Sequence, residues 1–502
     1  MMRKLEGTKR AGMFTVSPDR VVYGELTYAG RETSLRLTDS THFDTYPIQG
    51  GCLKGTLHDL TRVSLLRCVT TPVPSEVSGG IEGCYFADVF PHFVVHGDHQ
   101  ISSDEKVIAE VRFLVDDASA LFYDFDAFGT LPDARPLIGE VLDARGRQLE
   151  KWGGRSREIR IGRNPAILYF AGQHEILSCD TVLGKVHAKH HISSNLGGPS
   201  GVYLKSKIFT GITFEAPCSF DDALNRVLTL LRFLELVVGR PQNLLSLQLQ
   251  VTSEGDTPCV LDVYWSMPPN RKGKGGFRPH PADVLINGGM QRDEFARVLC
   301  NWLGRDDAWR DARERFSGCF HEQEVYGIDR LIGAANMFDI LPESAVPGDV
   351  PLTKELKSAK SRCKRIWKGL PRSSERDSLL NALGRIGKGT LKNKIRFRGE
   401  LLTKAVPGRF PHLGTVTDEA VNCRNYYVHG SEPRFDYGSH LGVCNFFTDT
   451  LEFVFAASDL IEAGWDVKAW CATGTTMSHP FGAYRVSYLE NLRKLKSLIP
   501  RN

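Results

Sequence analysis

Long apolar runs are missing from this sequence. No stretch of about 18 uncharged apolar residues occurs, so no membrane-spanning helix is expected. The N-terminal segment MMRKLEGTKRAGMF has basic residues with no apolar run behind them, which makes it a poor signal peptide. The twelve cysteines are scattered over 502 residues without one CxxC pair. In a long chain without a secretion signal, that spacing argues for free thiols in a reducing cytoplasm and against a disulfide framework. A strong excess of one charge is absent too. The 63 basic residues face 59 acidic ones, a net +4 that is too mild to argue for a nucleic-acid partner by itself. Internal repeats and low-complexity tracts are also lacking.

Two kinds of patterning are present instead. The length allows two or three domains, and 41% hydrophobic with 24% charged residues is ordinary for globular proteins. Up to residue 215, short alternating runs dominate: Arg20–Tyr28, Thr33–Leu37, Val63–Val69, Lys106–Leu114 and Ala166–Phe170. Clusters of Gly, Pro, Asp and Ser separate them, which predicts a β-rich sandwich or barrel-like domain over 1–215. Beyond it the period moves towards 3.6 residues. Ser219 can cap a helix carrying Leu224, Val227, Leu228, Leu231, Leu234 and Val238, and Gly239 can stop it. Leu244–Val251 and Cys259–Trp265 predict a hairpin that returns to the β region, and Pro268–Pro281 reads as a loop. Residues 216–290 are thus a connecting helix, hairpin and linker.

From 291 to 502 helices are expected, at 292–304, 323–339, 353–369, 373–386, 391–405, 415–429, 440–464 and 484–497. The expected fold class is α+β multidomain, a β-rich sandwich or barrel-like domain followed by an all-α bundle. Tyr437–Trp465 is apolar nearly all round, as in a helix buried in a bundle or packed on a partner subunit.

Positive charge gathers between residues 354 and 409. Lys364, Arg365, Lys368, Lys392, Lys394, Arg396 and Arg398 lie there among few acids. A polyphosphate partner would relieve their mutual repulsion through counterion release, and Trp367 and Phe397 offer rings for bases. A solvated amphipathic helix face is the plain alternative.

The chemistry is carried by Thr415–Gly430, TVTDEAVNCRNYYVHG. Thr417 or Asp418 can cap this helix and Gly430 can end it. Asn425 and His429, at i and i+4, share a face. Arg424 lies about 100° round from Asn425, but its long side chain can reach the same pocket. An imidazole, an amide and a fixed cation then meet near a helix end. That set suits cleavage of a phosphodiester by RNA's own 2′-hydroxyl. His can carry protons near neutral pH, and Arg binds phosphate oxygens without losing its charge. The scheme calls for no metal and no cofactor. Looser Arg/His spacings recur at Arg36–His42, Arg315–His321 and Arg434–His440. Only 424–429 has Asn directly after Arg, sits on a capped helix and precedes a long apolar helix. Without function, this His would donate to a backbone carbonyl and this Arg would pair with an acid.

The segment CRNYYVHG with the Leu441–Trp465 helix resembles the HEPN superfamily, specifically its ApeA-like branch, over 320–465. The N-terminal half is similar to the β-rich domain that accompanies it, through Gly24–Leu37, Ile48–Val69 and Phe90–Leu114. The resemblance implies Arg424 and His429 as catalytic residues, Asn425 as a supporting group, and a homodimer with a composite cleft. It also implies an antiphage, abortive-infection ribonuclease that cuts host RNA, tRNA being plausible, under a phage-derived trigger. The residues proposed to bind RNA are the seven basic ones above and Tyr427. Two rival expectations stand beside it. One is a non-catalytic HEPN-type module that binds RNA or protein. The other is a β-domain ligand receptor with a dimerising helical half.

Other candidates are weaker. Gly384–Thr390 (GRIGKGT) lacks the spacing of a phosphate loop. Cys179, His187, His190 and His191 could gather zinc but fit no common finger spacing. Cys423 beside Arg424 is expected to be a buried, neutral thiol. Of Tyr426 and Tyr427, one is expected to pack inside, because adjacent helical residues point apart.

Overall fold

The computed structural model describes residues 5–41, 43, 51–70, 75–76, 85–195, 199, 201–252, 258–268, 278–322, 325–348, 352–387 and 389–499. The chain forms two compact units that interleave in sequence. The first comprises Met1–Val227, Asn243–Asn270 and Asn287–Arg292, and the second Leu228–Gln242, Arg271–Ile286 and Asp293–Asn502.

The first unit is built on antiparallel strands. Strands β1 (Lys9–Ser17), β2 (Arg20–Thr27), β3 (Ser34–Asp39), β4 (Leu53–Leu57), β5 (Arg62–Thr70) and β7 (Tyr85–Gly97) close into a six-stranded barrel, with the two-residue β6 (Ser75–Glu76) paired to β7. The order round it is β1-β2-β3-β7-β5-β4 and back to β1. Period-two alternation drives the closure: Val22, Gly24 and Leu26 face in, while Val21 and Tyr23 face water. Phe14, Leu26, Leu35, Leu37, Val63, Leu65 and Val89 fill the interior. Gly55 is needed there, because a Cβ at that position would sit 2.4 Å from the Phe14 ring.

Strand β7 joins the barrel to the rest of one continuous sheet. Along one edge its first residues pair with β3, and Phe93–His96 then pair with β15 (Cys259–Trp265). From there the sheet runs outwards through β14 (Leu244–Val251), β8 (Ile108–Val115), β13 (Leu204–Cys218), β12 (Gly184–Ser194) and β11 (Glu175–Thr181). The β14–β15 hairpin therefore returns to the β unit, as its alternating sequence predicts. Strands β9 (Phe128–Leu131) and β10 (Ile167–Phe170) pair separately, and helices α1 (Ala118–Leu121) and α2 (Ile138–Lys151) complete the unit. Helix α3 (Phe220–Val238) follows. Ser219 Oγ accepts from the Asp222 amide at 3.2 Å, and Gly239 ends the helix at φ +85°.

The second unit contains α4 (Arg292–Gly304), α5 (Asp306–Phe320), α6 (Ile328–Asn336), α7 (Lys354–Lys368), α8 (Ser374–Arg385), α9 (Leu391–Ala405), α10 (Leu413–His429), α11 (Leu441–Ala463), α12 (Val467–Ala472) and α13 (Pro480–Leu498). Helices α5 and α12 were not legible in the periodicity. In α5 the apolar stripe Trp309, Ala312, Phe316 and Phe320 is interrupted by charges, two of which, Asp306 and Arg313, are themselves buried. The helix expected over 323–339 is confined to α6, and residues 323–324 lie outside the described set.

Helix α11 is the centre of this unit, and its sides are less apolar than they read. Glu452, Asp459 and Glu462 each meet an arginine from another helix. Arg330 of α6 binds Glu452 at 2.8 Å, Arg313 of α5 binds Asp459 at 3.0 Å, and Arg398 of α9 binds Glu462 at 2.8 Å. Val443, Phe446, Phe447, Leu451, Phe453, Val454 and Phe455 are buried within the same unit. The apolar surface that suggested a partner subunit is therefore spent inside the bundle.

His479 ties α3 to α13. Its Nδ1 accepts from the Phe481 amide at 3.1 Å, and Nε2 donates to the Leu236 carbonyl at 3.2 Å. With both nitrogens committed, the ring must be neutral, and burial pushes its pKa down to about 4. The unfolded chain binds that proton near 6.5, so this contribution is complete above pH 6.5 and is lost as pH falls towards 4. Thermal melts across this window should show His479→Gln losing less stability on acidification than wild type, by on the order of 3 kcal/mol at the acid end. Parallel pH profiles for the two proteins would contradict the assignment.

Candidate active site

Helix α10 places the motif. It starts at His412, whose φ of +59° turns the chain into the helix, and neither Thr417 nor Asp418 caps it. Thr417 Oγ donates to the Gly414 carbonyl at 3.0 Å, and Asp418 accepts from Arg396 Nε at 2.8 Å. The expected N-cap is thus corrected: the helix begins at Leu413, after His412, and not after Thr417 or Asp418. Its other end is as expected, with Gly430 at φ +63° and its amide donating to the Tyr426 carbonyl at 3.0 Å. His429 is therefore the last helical residue, and its ring is exposed.

Leu413, Val416, Thr417, Ala420 and Val421 form the buried stripe of α10. Arg424 follows Ala420 by four residues and extends that stripe, which leaves its stem half-buried. Its guanidinium is held by three neutral acceptors. Nη1 donates to Asn425 Oδ1 at 3.0 Å and to His429 Nε2 at 3.1 Å, and Nη2 donates to Asn336 Oδ1 at 2.9 Å. An arginine has no lone pair to offer, so His429 Nε2 is the acceptor and this imidazole is neutral with its proton on Nδ1. Arg424 Nε is buried without a partner among the described residues. Among the described residues, no carboxylate pairs with Arg424 and His429 donates to no backbone carbonyl. The purely structural arrangement of these two side chains is not what the fold adopts.

The looser Arg/His spacings behave differently. Arg36 pairs with Asp88 at 2.9 Å, His321 with Glu235 at 3.2 Å, and Arg434 with Glu419 at 3.6 Å. His42 lies outside the described residues.

Asn336 is the participant that sequence reading missed. It is the last residue of α6, 88 positions from Arg424, and no local spacing connects the two. Tyr426, Tyr427 and Tyr437 cluster beside the motif, with centroids 5.0 Å apart for Tyr426–Tyr427 and 5.4 Å for Tyr426–Tyr437. Both motif tyrosines are half-buried, so neither is wholly inside. Burial raises the Tyr427 phenol above its ordinary range. Cys423 is buried with its Sγ 3.9 Å from Cys444 Sγ. That hydrogen bond, then burial, holds the Cys423 thiol protonated and well above the usual thiol range.

The basic residues divide into two groups. Lys364, Arg365 and Lys368 on α7 are exposed. The residues of α9 are occupied: Lys392 donates to Asn422 at 2.7 Å, Lys394 to the Asp339 carbonyl at 2.9 Å, and Arg396 to Asp418. Arg398 is a correction. It is fully buried, clamped by Glu462 and Ser458 and set over the Trp309 ring, so it belongs to the core and not to an RNA-facing surface. Phosphate-loop chemistry finds no support at Thr390, whose hydroxyl instead caps α9, while Lys388 lies outside the described residues. Of the zinc candidates, His187 faces Glu110 at 3.2 Å and His190 faces Ser206 at 2.9 Å. Among the described residues, no three His, Cys, Asp or Glu side chains converge as a metal site. Likewise, no helix among them is long and apolar enough to cross a membrane.

A barrel-based β unit and a helical unit bearing an Arg-Asn-x3-His site define a two-part protein of β-rich and HEPN type. Residues 9–302 match the family described as ApeA N-terminal domain 1, and residues 332–468 match Apea-like HEPN. The first match covers more than half of the chain, and the chain belongs to the ApeA-like HEPN family. The second spans Asn336, Arg424, Asn425 and His429. No curated protein and no solved structure matches the chain.

The Arg398 correction is open to test. Glu462→Ala leaves Arg398 buried without its carboxylate, and removing one partner of a buried pair costs about 3 kcal/mol. The urea midpoint of the helical unit should fall by that equivalent, while RNA affinity of the folded protein stays unchanged. An unaltered midpoint would refute the structural role.

Proposed function

We propose that this chain is a HEPN-type endoribonuclease that cleaves host RNA, tRNA being a fitting substrate, in antiphage abortive infection. The observation that supports this reading best is the cradle of Arg424. A cation held only by amide and imidazole groups keeps its full charge for an incoming phosphodiester. Its neighbours Arg313, Arg330, Arg396 and Arg398 have already lost theirs to carboxylates.

The chemistry follows from those hydrogen bonds. At rest, an Arg424 N–H occupies the lone pair of His429 Nε2. A phosphate oxygen is a stronger, charged acceptor and competes for that N–H. Nε2 is then free to take the proton of the 2′-hydroxyl. The 2′-oxygen attacks phosphorus, the bond to the 5′-oxygen breaks, and Arg424 offsets the extra negative charge on the phosphoryl oxygens. The products are a cyclic phosphate and a 5′-hydroxyl. Arg424 contacts one imidazole per protomer, whereas the reaction needs both a base and an acid. A homodimer with two motifs facing one cleft would supply the second proton carrier. The exposed Lys364, Arg365 and Lys368 would hold the RNA backbone, and Tyr427 would stand beside a base.

The decisive assay is cleavage of tRNA and of a generic RNA with EDTA present. His429→Ala should reduce the rate by at least about a hundredfold, the usual weight of a general acid–base group. Arg424→Lys should fail similarly, because an ammonium lacks the planar fork. Asn336→Ala should cost roughly tenfold to a hundredfold by letting Arg424 drift. Equal rates for wild type and His429→Ala would sink the proposal. RNA binding without cleavage by either protein would leave a binding module.

A further inference from the structure

A second basic surface lies on the β unit, far in sequence from the motif. Residues 145–163 read RGRQLEKWGGRSREIRIGR and hold seven basic residues against Glu150 and Glu158 alone, a net +5. Six of the seven are arginine: Arg145, Arg147, Arg155, Arg157, Arg160 and Arg163. Every residue from 151 to 163 is exposed, and residues 155–163 form neither helix nor strand. Among the described residues, none of the seven meets a carboxylate within ion-pair distance. Elsewhere in the same unit Arg20 is paired with Asp39, Arg36 with Asp88 and Arg67 with Asp221.

The local geometry shows that this segment is not waiting for core packing. Gly146 is the one buried residue of α2, and a Cβ there would lie 2.8 Å from Ser156 Oγ. The chain thus turns back across the helix at that point and leaves a cleft of about 390 Å³ between the two limbs. Asp143, Glu150 and Glu158 line the cleft together with Arg145, Arg147 and Arg157. Balanced lining argues against a pocket for one small anion. The excess charge runs along the chain instead, with an arginine every two or three residues from Arg155 to Arg163. A repeating anion fits that arrangement better than a single one. Arginine in place of lysine favours phosphate oxygens, which its fork can bind bidentately. Trp152, 73% exposed, adds a stacking face for a base.

We propose that residues 145–163 form an arginine-rich arm that binds the phosphodiester backbone of nucleic acid. This site is additional to the Arg424–His429 motif and does not depend on catalysis there. Like charges gathered without carboxylate partners repel one another, and a polyanion would relieve that repulsion.

The test uses the full chain with His429→Ala throughout, so that no RNA is consumed. Anisotropy with labelled single-stranded RNA and with duplex DNA is measured over a range of salt. The variant R155A/R157A/R160A/R163A should bind RNA at least tenfold more weakly. Its plot of log affinity against log salt should be shallower by roughly 3, four lost phosphate contacts. The corresponding four-lysine variant should keep most of that slope, which separates lost charge from lost folding. Trp152→Ala should weaken single-stranded RNA more than duplex DNA. Unchanged affinity and slope in the alanine variant would overturn the proposal, as would failure of the parent protein to bind either nucleic acid. Competition by polyglutamate as effective as RNA would overturn nucleic acid as the partner.

Discussion

Three carboxylates on one helix organise the helical unit. Glu452, Asp459 and Glu462 lie on α11, and arginines from α6, α5 and α9 reach in to meet them. Burying a charge without a partner costs several kcal/mol, so each of these helices can dock only in a register that completes its pair. Apolar packing around Phe446, Phe453 and Phe455 supplies attraction without direction. The ion pairs supply direction. Arg330 is the pair that matters most for the site, because it sits on the same short helix as Asn336. Holding Arg330 on Glu452 carries Asn336 to the place where it can accept from Arg424.

The arginines that dock on α11, Arg313, Arg330 and Arg398, are neutralised by acids and are silent towards a substrate, whereas Arg485 is buried against the Trp470 and Thr473 carbonyls. Arg424 alone among the motif-like spacings is oriented by neutral groups, so its position is fixed while its charge is kept. Neutral orientation is what a site needs if an anion is to bind and react there. A related contrast recurs in the β unit, where Arg20 and Arg36 pair with carboxylates on neighbouring strands and the arginines of 145–163 do not.

Much of the fold was legible because local patterns and tertiary demands agree. Alternation in Arg20–Tyr28 and Lys106–Leu114 placed strands, and Ser219, Gly239 and Gly430 marked helix ends by capping rules that act over a few residues. Legibility failed where tertiary partners change the meaning of a residue. Charges in α5 interrupt its apolar period, yet Arg313 and Asp306 are core, because they find partners. Arg398 looked like part of a basic face and is fully buried for the same reason. Asp418 looked like a cap and is instead the partner of Arg396. The apolar flank of α11, read as buried in a bundle or packed on a partner subunit, is buried within the chain.

The sequence by itself determined the order of β-rich and helical parts, the family likeness and the three motif residues, since Arg424, Asn425 and His429 lie within two turns of one helix. Helical geometry is local, so their proximity needs no knowledge of the rest. Closure of the barrel through β7, the pairing of β15 with β7 and the recruitment of Asn336 were decided only by the tertiary structure. Each of these joins residues tens of positions apart, and no local propensity encodes such a contact. What selects them is the burial of apolar faces and the pairing of buried charge, which exist only once the chain has folded.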